Sequence, residues 1–128
     1  MSLFANHQPL RSKKAIARRF AQAGYRVGLF DINDARCYEL LGESEFTHAI
    51  AGHCDVRDTA SVDAALAYLS AATAGRLDVL ANNAGVLTAG AFTNHSEAQI
   101  RAMVDVNLTG LTLFSSAAFP PIKATTPA

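Results

Sequence analysis

Segments with a helical period alternate with short apolar segments along this chain, and that alternation constrains the fold more than any other feature. Apolar residues recur at helical spacing in residues 13–23, and a strand-like apolar run follows at residues 25–30. Strands that alternate with helices are typical of a parallel sheet covered by helices on both faces. The sequence therefore predicts an α/β fold of three layers, with a doubly wound parallel sheet.

Residues that commonly cap helices mark the next two helical segments. Asn33 can cap a helix that closes at Gly42. Asp58 or Thr59 can cap another helix, which Gly75 ends.

Two further strands are predicted at residues 48–54 and 77–81. Any first strand should be short and degenerate, and should lie near residues 2–5. Because crossovers between parallel strands are right-handed, the predicted strand order in the sheet is 3-2-1-4.

The last third of the chain predicts one long helical segment. Ser96 and Gln99 form a capping-box pattern ahead of an apolar segment at residues 100–119. Pro120 and Pro121 should stop that segment, because proline lacks the N–H that a helix needs.

Composition and charge exclude several classes of function. Of the 128 residues, 50% are hydrophobic and 17% charged, which is typical of a globular domain with a core. Eleven basic residues balance eleven acidic ones, so charge gives no reason to expect nucleic acid or a membrane as a partner. No apolar run reaches the roughly 20 residues that a bilayer span requires. The chain has no acidic residue before Asp31, as in a transit peptide, but a glycine turn into a strand favours a folded segment.

Neither the cysteines nor the histidines form a recognisable site. Cys37 and Cys54 are too widely spaced for a disulfide framework or a metal cluster, and are typical of free thiols in a reducing cytoplasm. The histidines, which show no metal-ligand spacing, are His7, His48, His53 and His95. We therefore expect a cytoplasmic protein without a metal site.

Polar residues stand at the ends of three successive predicted strands: Asp31, Asp55 and Asn82. In parallel α/β sheets, ligands bind beyond the carboxyl ends of the strands. Each residue alone is ordinary turn chemistry, but three at corresponding positions favour a nucleotide site over loop capping.

Four motifs resemble, in their order and spacing, those of the short-chain dehydrogenase/reductase family: GLFDIN at 28–33, DVRD at 55–58, NNAG at 82–85 and VDVNLTG at 104–110. The resemblance covers residues 14–123. It implies a Rossmann-like NAD-binding domain in an oxidoreductase that transfers hydride between a nicotinamide cofactor and a small alcohol or carbonyl substrate. It also implies a homo-oligomer.

The resemblance implies cofactor contacts for residues at the strand ends. Asn82 would lie beside the cofactor and steady the central strands, while Ala84 and Gly85 would let the backbone approach the ligand closely. Asp31 would accept hydrogen bonds from the adenine ribose and repel a 2′-phosphate, which favours NAD over NADP. The alternatives are a plain turn at NNAG, and a turn that Asp31 begins with Asn33.

Two motifs imply further roles. Asp55 would reach toward the adenine amino group, and Val56 would follow along the ring; alternatively, Asp55 caps the next helix. Asn107 matches the family's catalytic asparagine, which is implied to hold a water and a helix irregularity in a proton relay. The alternative for Asn107 is an ordinary surface position.

The first departure from the family pattern concerns phosphate binding. The family's TGxxxGxG loop, where glycines let the pyrophosphate approach a helix N-terminus, aligns with residues 6–13. Those residues read NHQPLRSK and contain no glycine. Pro9 lacks an N–H donor, and Arg11 and Lys13 could attract phosphate only loosely, so we expect weak NAD binding.

The second departure concerns the acid/base residues. Tyr25, Tyr38 and Tyr68 each lack a lysine four residues later, so the family's YxxxK motif is not among these residues. We therefore expect a truncated form that is inactive alone, either a non-catalytic remnant or a nucleotide-binding or regulatory module, with homo-oligomerisation in doubt. The predicted parts are an altered segment at 1–13, a partial Rossmann domain at 14–123 and a frayed tail at 124–128.

Overall fold

Four strands alternate with five helices in the computed structural model, which describes residues 2–6 and 10–125, with side chains from residue 14 onward. The strands are β1 Ser2–Asn6, β2 Val27–Asp31, β3 Ile50–His53 and β4 Val79–Asn83. The helices are α1 Leu10–Gln22, α2 Asp34–Leu40, α3 Thr59–Thr73, α4 Glu97–Val104 and α5 Leu111–Thr125, with a π-helical segment at Asp105–Gly110. Residues 7–9, the centre of the glycine-free loop, lie outside the described residues, as do residues 126–128 of the predicted tail.

All neighbouring strands pair in parallel, in the order β3-β2-β1-β4. The predicted fold class and strand order are therefore confirmed. In the register of the sheet, Asn6 lies opposite Asp31 on one side and Asn83 on the other. The last residues of β1, β2 and β4 thus end level with one another at the carboxyl edge of the sheet.

The sheet separates two apolar clusters, as a three-layer fold requires. Val27 and Leu29 of β2 pack into one cluster, whereas Phe30 packs into the other, because successive side chains of a strand point to opposite faces. One cluster includes buried side chains of α1 and α2, and the other includes those of α3 and α5. Every residue of β2 is buried, as expected for an internal strand covered on both faces.

The helix N-termini lie at the three predicted caps, two of which form side-chain hydrogen bonds. The side chain of Asp58 caps α3 by accepting a hydrogen bond from the Ala60 backbone N–H at 3.1 Å. Ser96 and Gln99 form the predicted capping box at α4. Asn33 occupies the predicted N-cap position of α2, but its side chain makes no cap hydrogen bond.

The prediction that Pro120 and Pro121 stop the last helix is wrong. Helix α5 continues through both to Thr125, which places residues 124 and 125 in the helix rather than in a frayed tail. Packing outweighs the lost backbone donors, since Phe114 and Ala118 are fully buried in the core. Beyond the prolines, the Thr125 hydroxyl donates to the Pro121 carbonyl at 2.9 Å and accepts from the Leu77 N–H at 3.3 Å.

The continuous helical stretch Glu97–Thr125 spans 29 residues and is long and apolar enough to cross a membrane by length and composition alone. The expectation from the sequence concerned uninterrupted apolar runs. The helical stretch is apolar on average, although serine, threonine and asparagine residues are scattered along it. Core helices of soluble proteins also meet this criterion, but they are mostly buried, whereas 22% of the apolar window is buried here. Here α5 contributes Phe114 and Ala118 to the core beside β4 and α3.

Candidate functional site

An open cleft of about 180 Å³ lies at the carboxyl edge of the sheet. Its lining comes from the segments after β2, β3 and β4 and from the helical stretch above them: Ile32, Cys54, Asp55, Val56, Arg57, Ala84, Val86, Ala102 and Val106. The cleft therefore combines apolar walls with one acidic and one basic side chain, which suits a flat apolar ring with polar edge groups.

Asp31 ends β2, immediately before the cleft residue Ile32. It is a buried acid, with 8% of its surface exposed. Its Oδ1 accepts a hydrogen bond from the Asn33 backbone N–H at 2.8 Å, so the turn anticipated at this position is present. A carboxylate offers about four acceptor positions, so this turn is compatible with a second role in ribose binding.

Asp55 follows β3 and lines the cleft together with Arg57. Its Oδ1 accepts from the Arg57 backbone N–H at 3.0 Å and from Nε at 2.9 Å, while Oδ2 accepts from Nη2 at 2.6 Å. The hydrogen bonds from the Arg57 side chain lower the pKa of the Asp55 carboxyl, which favours its charged form. Since Asp58 caps α3, the alternative role of Asp55 as that cap is wrong.

Val56 forms part of the cleft wall and is held there by an unusually close neighbour. Gly110, the last residue of the π-helical segment, has no side chain, and a Cβ built on it would lie 2.6 Å from Val56 Cγ2. The helical stretch can approach Val56 this closely only because residue 110 is glycine.

Asn82 and Asn83 end β4 but face different surroundings. The Asn82 amide donates to Ser115 Oγ at 2.9 Å, and that hydroxyl donates to the Leu111 carbonyl at 2.7 Å, which fastens the strand to α5. Asn83 Nδ2 is buried and has no hydrogen-bond partner among the described residues. Of the residues that follow, Ala84 lines the cleft and Gly85 links it to the lining residue Val86.

Asn107 occupies the π-helical segment Asp105–Gly110, so the helix irregularity implied by the resemblance is present. Its Oδ1 accepts from the Val86 N–H at 2.8 Å, and its Nδ2 donates to the Val86 carbonyl at 2.8 Å. An asparagine within a helix is costly unless paired, and here one amide satisfies both backbone groups of a cleft residue. Asn107 is exposed, as the alternative of a surface position expected, and its amide also fixes the segment after β4.

Cys54 is the one thiol in the cleft wall, and it is poorly suited to nucleophilic chemistry. Burial raises the pKa of the Cys54 thiol to about 12, so it stays protonated near neutral pH. The cleft therefore offers a binding surface and an ion pair rather than an activated nucleophile.

Two residues with distinctive geometry went unnoticed in the sequence. Arg57 had a detectable signal, because it stands inside the DVRD motif two residues after an acid, a spacing at which an arginine can turn back onto a carboxylate. Asn83 had no detectable signal in the sequence. Its buried amide can be recognised only from the sheet register, which places Asn83 opposite β1.

A parallel α/β sheet with a cleft at the carboxyl edge defines the class of this chain as a Rossmann-type nucleotide-binding fold. The sequence profile of the short chain dehydrogenase family matches residues 14–127. The chain belongs to the short-chain dehydrogenase family, whose members are oxidoreductases that use nicotinamide cofactors.

Individual relatives agree with this assignment. Oxidoreductase UcpA of Salmonella typhimurium is 39% identical over 110 residues, which cover 84% of this chain and 41% of that protein. The 2,3-dihydro-2,3-dihydroxybenzoate dehydrogenase of Bacillus subtilis is 33% identical over 100 residues, covering 77% and 38%. The crystal structure of 3-ketoacyl-(acyl-carrier-protein) reductase from Brucella melitensis complexed with NADH has a TM-score of 0.84 at 25% identity, covering 96% of this chain and 50% of that one. The chain thus spans half or less of the length of these proteins.

Proposed function

We propose that this chain is the adenine-binding part of an NAD-dependent short-chain oxidoreductase that interconverts an alcohol and a carbonyl compound. The observation that carries the proposal is the cleft, because it joins segments following three parallel strands at the edge where such sheets bind nucleotides. When bound, the nicotinamide would accept or donate a hydride. The dehydrogenase names of several relatives support this reaction type.

The seven candidate residues named from the sequence each have a role in this proposal. Asp55 would accept from the adenine amino group while Val56 would pack along the ring, and Asp31 would accept from the ribose hydroxyls. Ala84 and Gly85 admit the cofactor close to the backbone, and Asn82 steadies β4 through Ser115. Asn107 holds the Val86 segment, and in a complete site it would contribute to a proton relay.

The preference for NAD over NADP rests on the charge of Asp31. A buried carboxylate at the end of β2 would repel a 2′-phosphate, whereas the ribose hydroxyls of NAD can donate to it. Binding should be weak, because residues 6–13 supply no glycine to admit the pyrophosphate.

Calorimetric titration with NAD and with NADP tests this proposal. We expect NAD to bind more tightly, with Asp31→Asn reducing the preference by on the order of tenfold. Asp34→Asn, which removes a nearby carboxylate in the first turn of α2, is the matched control and should retain the preference. Submicromolar affinity for NAD would contradict the expected weak binding, and tighter binding of NADP would contradict the role of Asp31.

A second candidate function for these 128 residues alone is nucleotide binding without turnover. None of the three tyrosines is followed by lysine at the spacing of the family's acid/base pair, and the Asn107 amide does not titrate. We expect no NADH formation with a panel of simple alcohols, although NAD binds. Turnover by a monodisperse sample would refute this candidate, and Tyr25→Phe and Tyr38→Phe would then identify the acid.

A further inference from the structure

Arg57 holds the Asp55 carboxylate through three hydrogen bonds, two to Oδ1 and one to Oδ2. The partners are only two residues apart, so the ion pair forms within a single turn after β3. Both residues line the cleft. Arg57 therefore fixes the direction in which an acid of the cleft wall can accept further hydrogen bonds.

The number of hydrogen bonds decides what Asp55 can still recognise. An ionised carboxylate accepts at about four positions. Arg57 occupies two positions on Oδ1 and one on Oδ2, which leaves Oδ2 as the atom with capacity for another donor. A carboxylate cannot donate, so a ligand carbonyl placed against the same atom would meet only repulsion.

We propose that Arg57 is a specificity-determining positioning residue, which orients Asp55 so that Oδ2 selects purines with an amino group at C6 over those with a carbonyl group there. The inference rests on the proposed adenine site and adds Arg57 to it. The guanidinium also makes the pair neutral overall, so the cleft accepts an uncharged base without leaving an unpaired acid beside it. A lysine would retain the charge but not the planar pair of donors that holds both carboxylate oxygens.

Adenosine and inosine are the appropriate probes because they differ at this position of the base and lack phosphate. The intact chain is titrated with each nucleoside while NMR follows the cleft methyl groups of Ile32, Val86 and Val106. We expect adenosine to bind on the order of tenfold more tightly than inosine, as for one hydrogen bond to a charged acceptor. Arg57→Ala should bring this ratio close to one, and Arg57→Lys should give an intermediate ratio.

The chain offers a matched control at the opposite edge of the sheet. Arg76 pairs with Asp78 at the same two-residue spacing, through Nε at 3.0 Å and Nη2 at 2.8 Å to Oδ1, just before β4 begins. Arg76→Ala removes an equivalent ion pair away from the cleft, so the ratio of adenosine to inosine affinity should stay at its original value.

The outcomes separate this inference from the proposed function. If both nucleosides bind and Arg57→Ala leaves their affinity ratio unchanged, the role of Arg57 is overturned while the adenine site stands. If inosine binds the original protein as tightly as adenosine, selection through Oδ2 is overturned. If adenosine shifts none of the cleft methyl groups, the adenine site itself is overturned and this inference with it. Should Arg57→Ala fail to fold, the ratio for Arg57→Lys decides between these results.

Discussion

At the scale of single residues, Gly110 shapes the cleft by having no side chain. A Cβ at this position would lie 2.6 Å from Val56 Cγ2 and 3.1 Å from the Asp105 carbonyl oxygen. We predict that Gly110→Ala displaces Val56 and destabilises the fold by about 1–3 kcal/mol, the usual cost of overpacking. Denaturant unfolding measures the loss, and weaker adenosine binding should accompany it.

Gly42→Ala is the control for Gly110→Ala. A Cβ at residue 42 would meet only the Glu39 carbonyl, at 3.4 Å, so its effect should be small. Equal stability losses in the two variants would contradict the importance of the contact between Gly110 and Val56.

The pairing of Asp55 with Arg57 gives folding stability a predictable pH dependence. Because the folded pKa of Asp55 lies below its unfolded value, the pair stabilises the fold above the unfolded pKa, about 3.9. This stabilisation is lost as the pH falls through the lower folded pKa. We predict that the difference in unfolding free energy between the original protein and Arg57→Ala shrinks as the solution is acidified below that range. A difference that stays constant, or a carboxyl ¹³C titration of Asp55 with the same midpoint in both proteins, would refute this.

Sequence alone could locate some candidate site residues but not their partners. Asp31 and Asp55 were predictable because apolar runs end at them, and strand ends in a parallel sheet share one edge. The hydrogen bonds from the Arg57 side chain to both oxygens of Asp55 could not be predicted, because rotamers and hydrogen bonds depend on packing around the chain. Likewise, the amides of Asn82 and Asn107 bond to Ser115 and Val86, which are distant in sequence.

At the scale of elements, α3 ends at a residue in an unfavourable conformation. Ala74 adopts a left-handed backbone with φ 52° and ψ 40°, and its N–H bonds to the Ser70 carbonyl. We predict that Ala74→Gly stabilises the fold by about 0.5–1 kcal/mol, because glycine adopts this conformation without a steric cost. The shift in the denaturant midpoint measures the gain.

Ala64→Gly is the control for Ala74→Gly, and we expect it to lower stability rather than raise it. Ala64 is exposed within α3, where glycine costs about 0.5–1 kcal/mol through its greater freedom in the unfolded chain. If glycine lowered stability at residue 74 as it does at residue 64, the proposed strain at the end of the helix would be excluded.

The end of the last helix was predicted wrongly for a physical reason. Pro120 and Pro121 lie inside α5 although local chemistry opposes it, because the buried face of the helix and the Thr125 hydrogen bonds hold the segment in place. Asn33 does precede the first residue of α2, but its side chain makes no cap hydrogen bond. Short-range propensity predicted where most elements lie, and longer-range contacts decided where α5 ends.

At the scale of the whole molecule, one apolar stripe faces solvent along α4 and the start of the following helical stretch. Its members recur at intervals of three or four residues and are all exposed: Ile100, Val104, Leu108 and Leu111. In addition, β3 and β4 are the edge strands of the described sheet and can pair with other chains. We predict that the chain self-associates as its concentration rises, and that Val104→Lys with Leu108→Lys reduces the effect. Light scattering coupled to size-exclusion chromatography gives the mass at each concentration.

Tyr38→Lys tests whether replacing any exposed apolar side chain with lysine reduces self-association. Tyr38 is 52% exposed on α2, away from the stripe, and Leu108 is 62% exposed within it. Self-association that persists in the double lysine variant but disappears in Tyr38→Lys would move the contact surface away from α4.

The separation of the core into two clusters has a consequence for kinetics. Cys37 is buried in the cluster beneath α1 and α2, and Cys54 in the cluster beneath α3 and α5. Alkylation requires an exposed thiolate, so each cysteine reacts only when its own side of the sheet opens. The two labelling rates, read by mass spectrometry of the digested chain, therefore report the opening of the two halves of the interior separately. Equal rates would mean that both layers open in one cooperative event, whereas unequal rates would show which layer opens first.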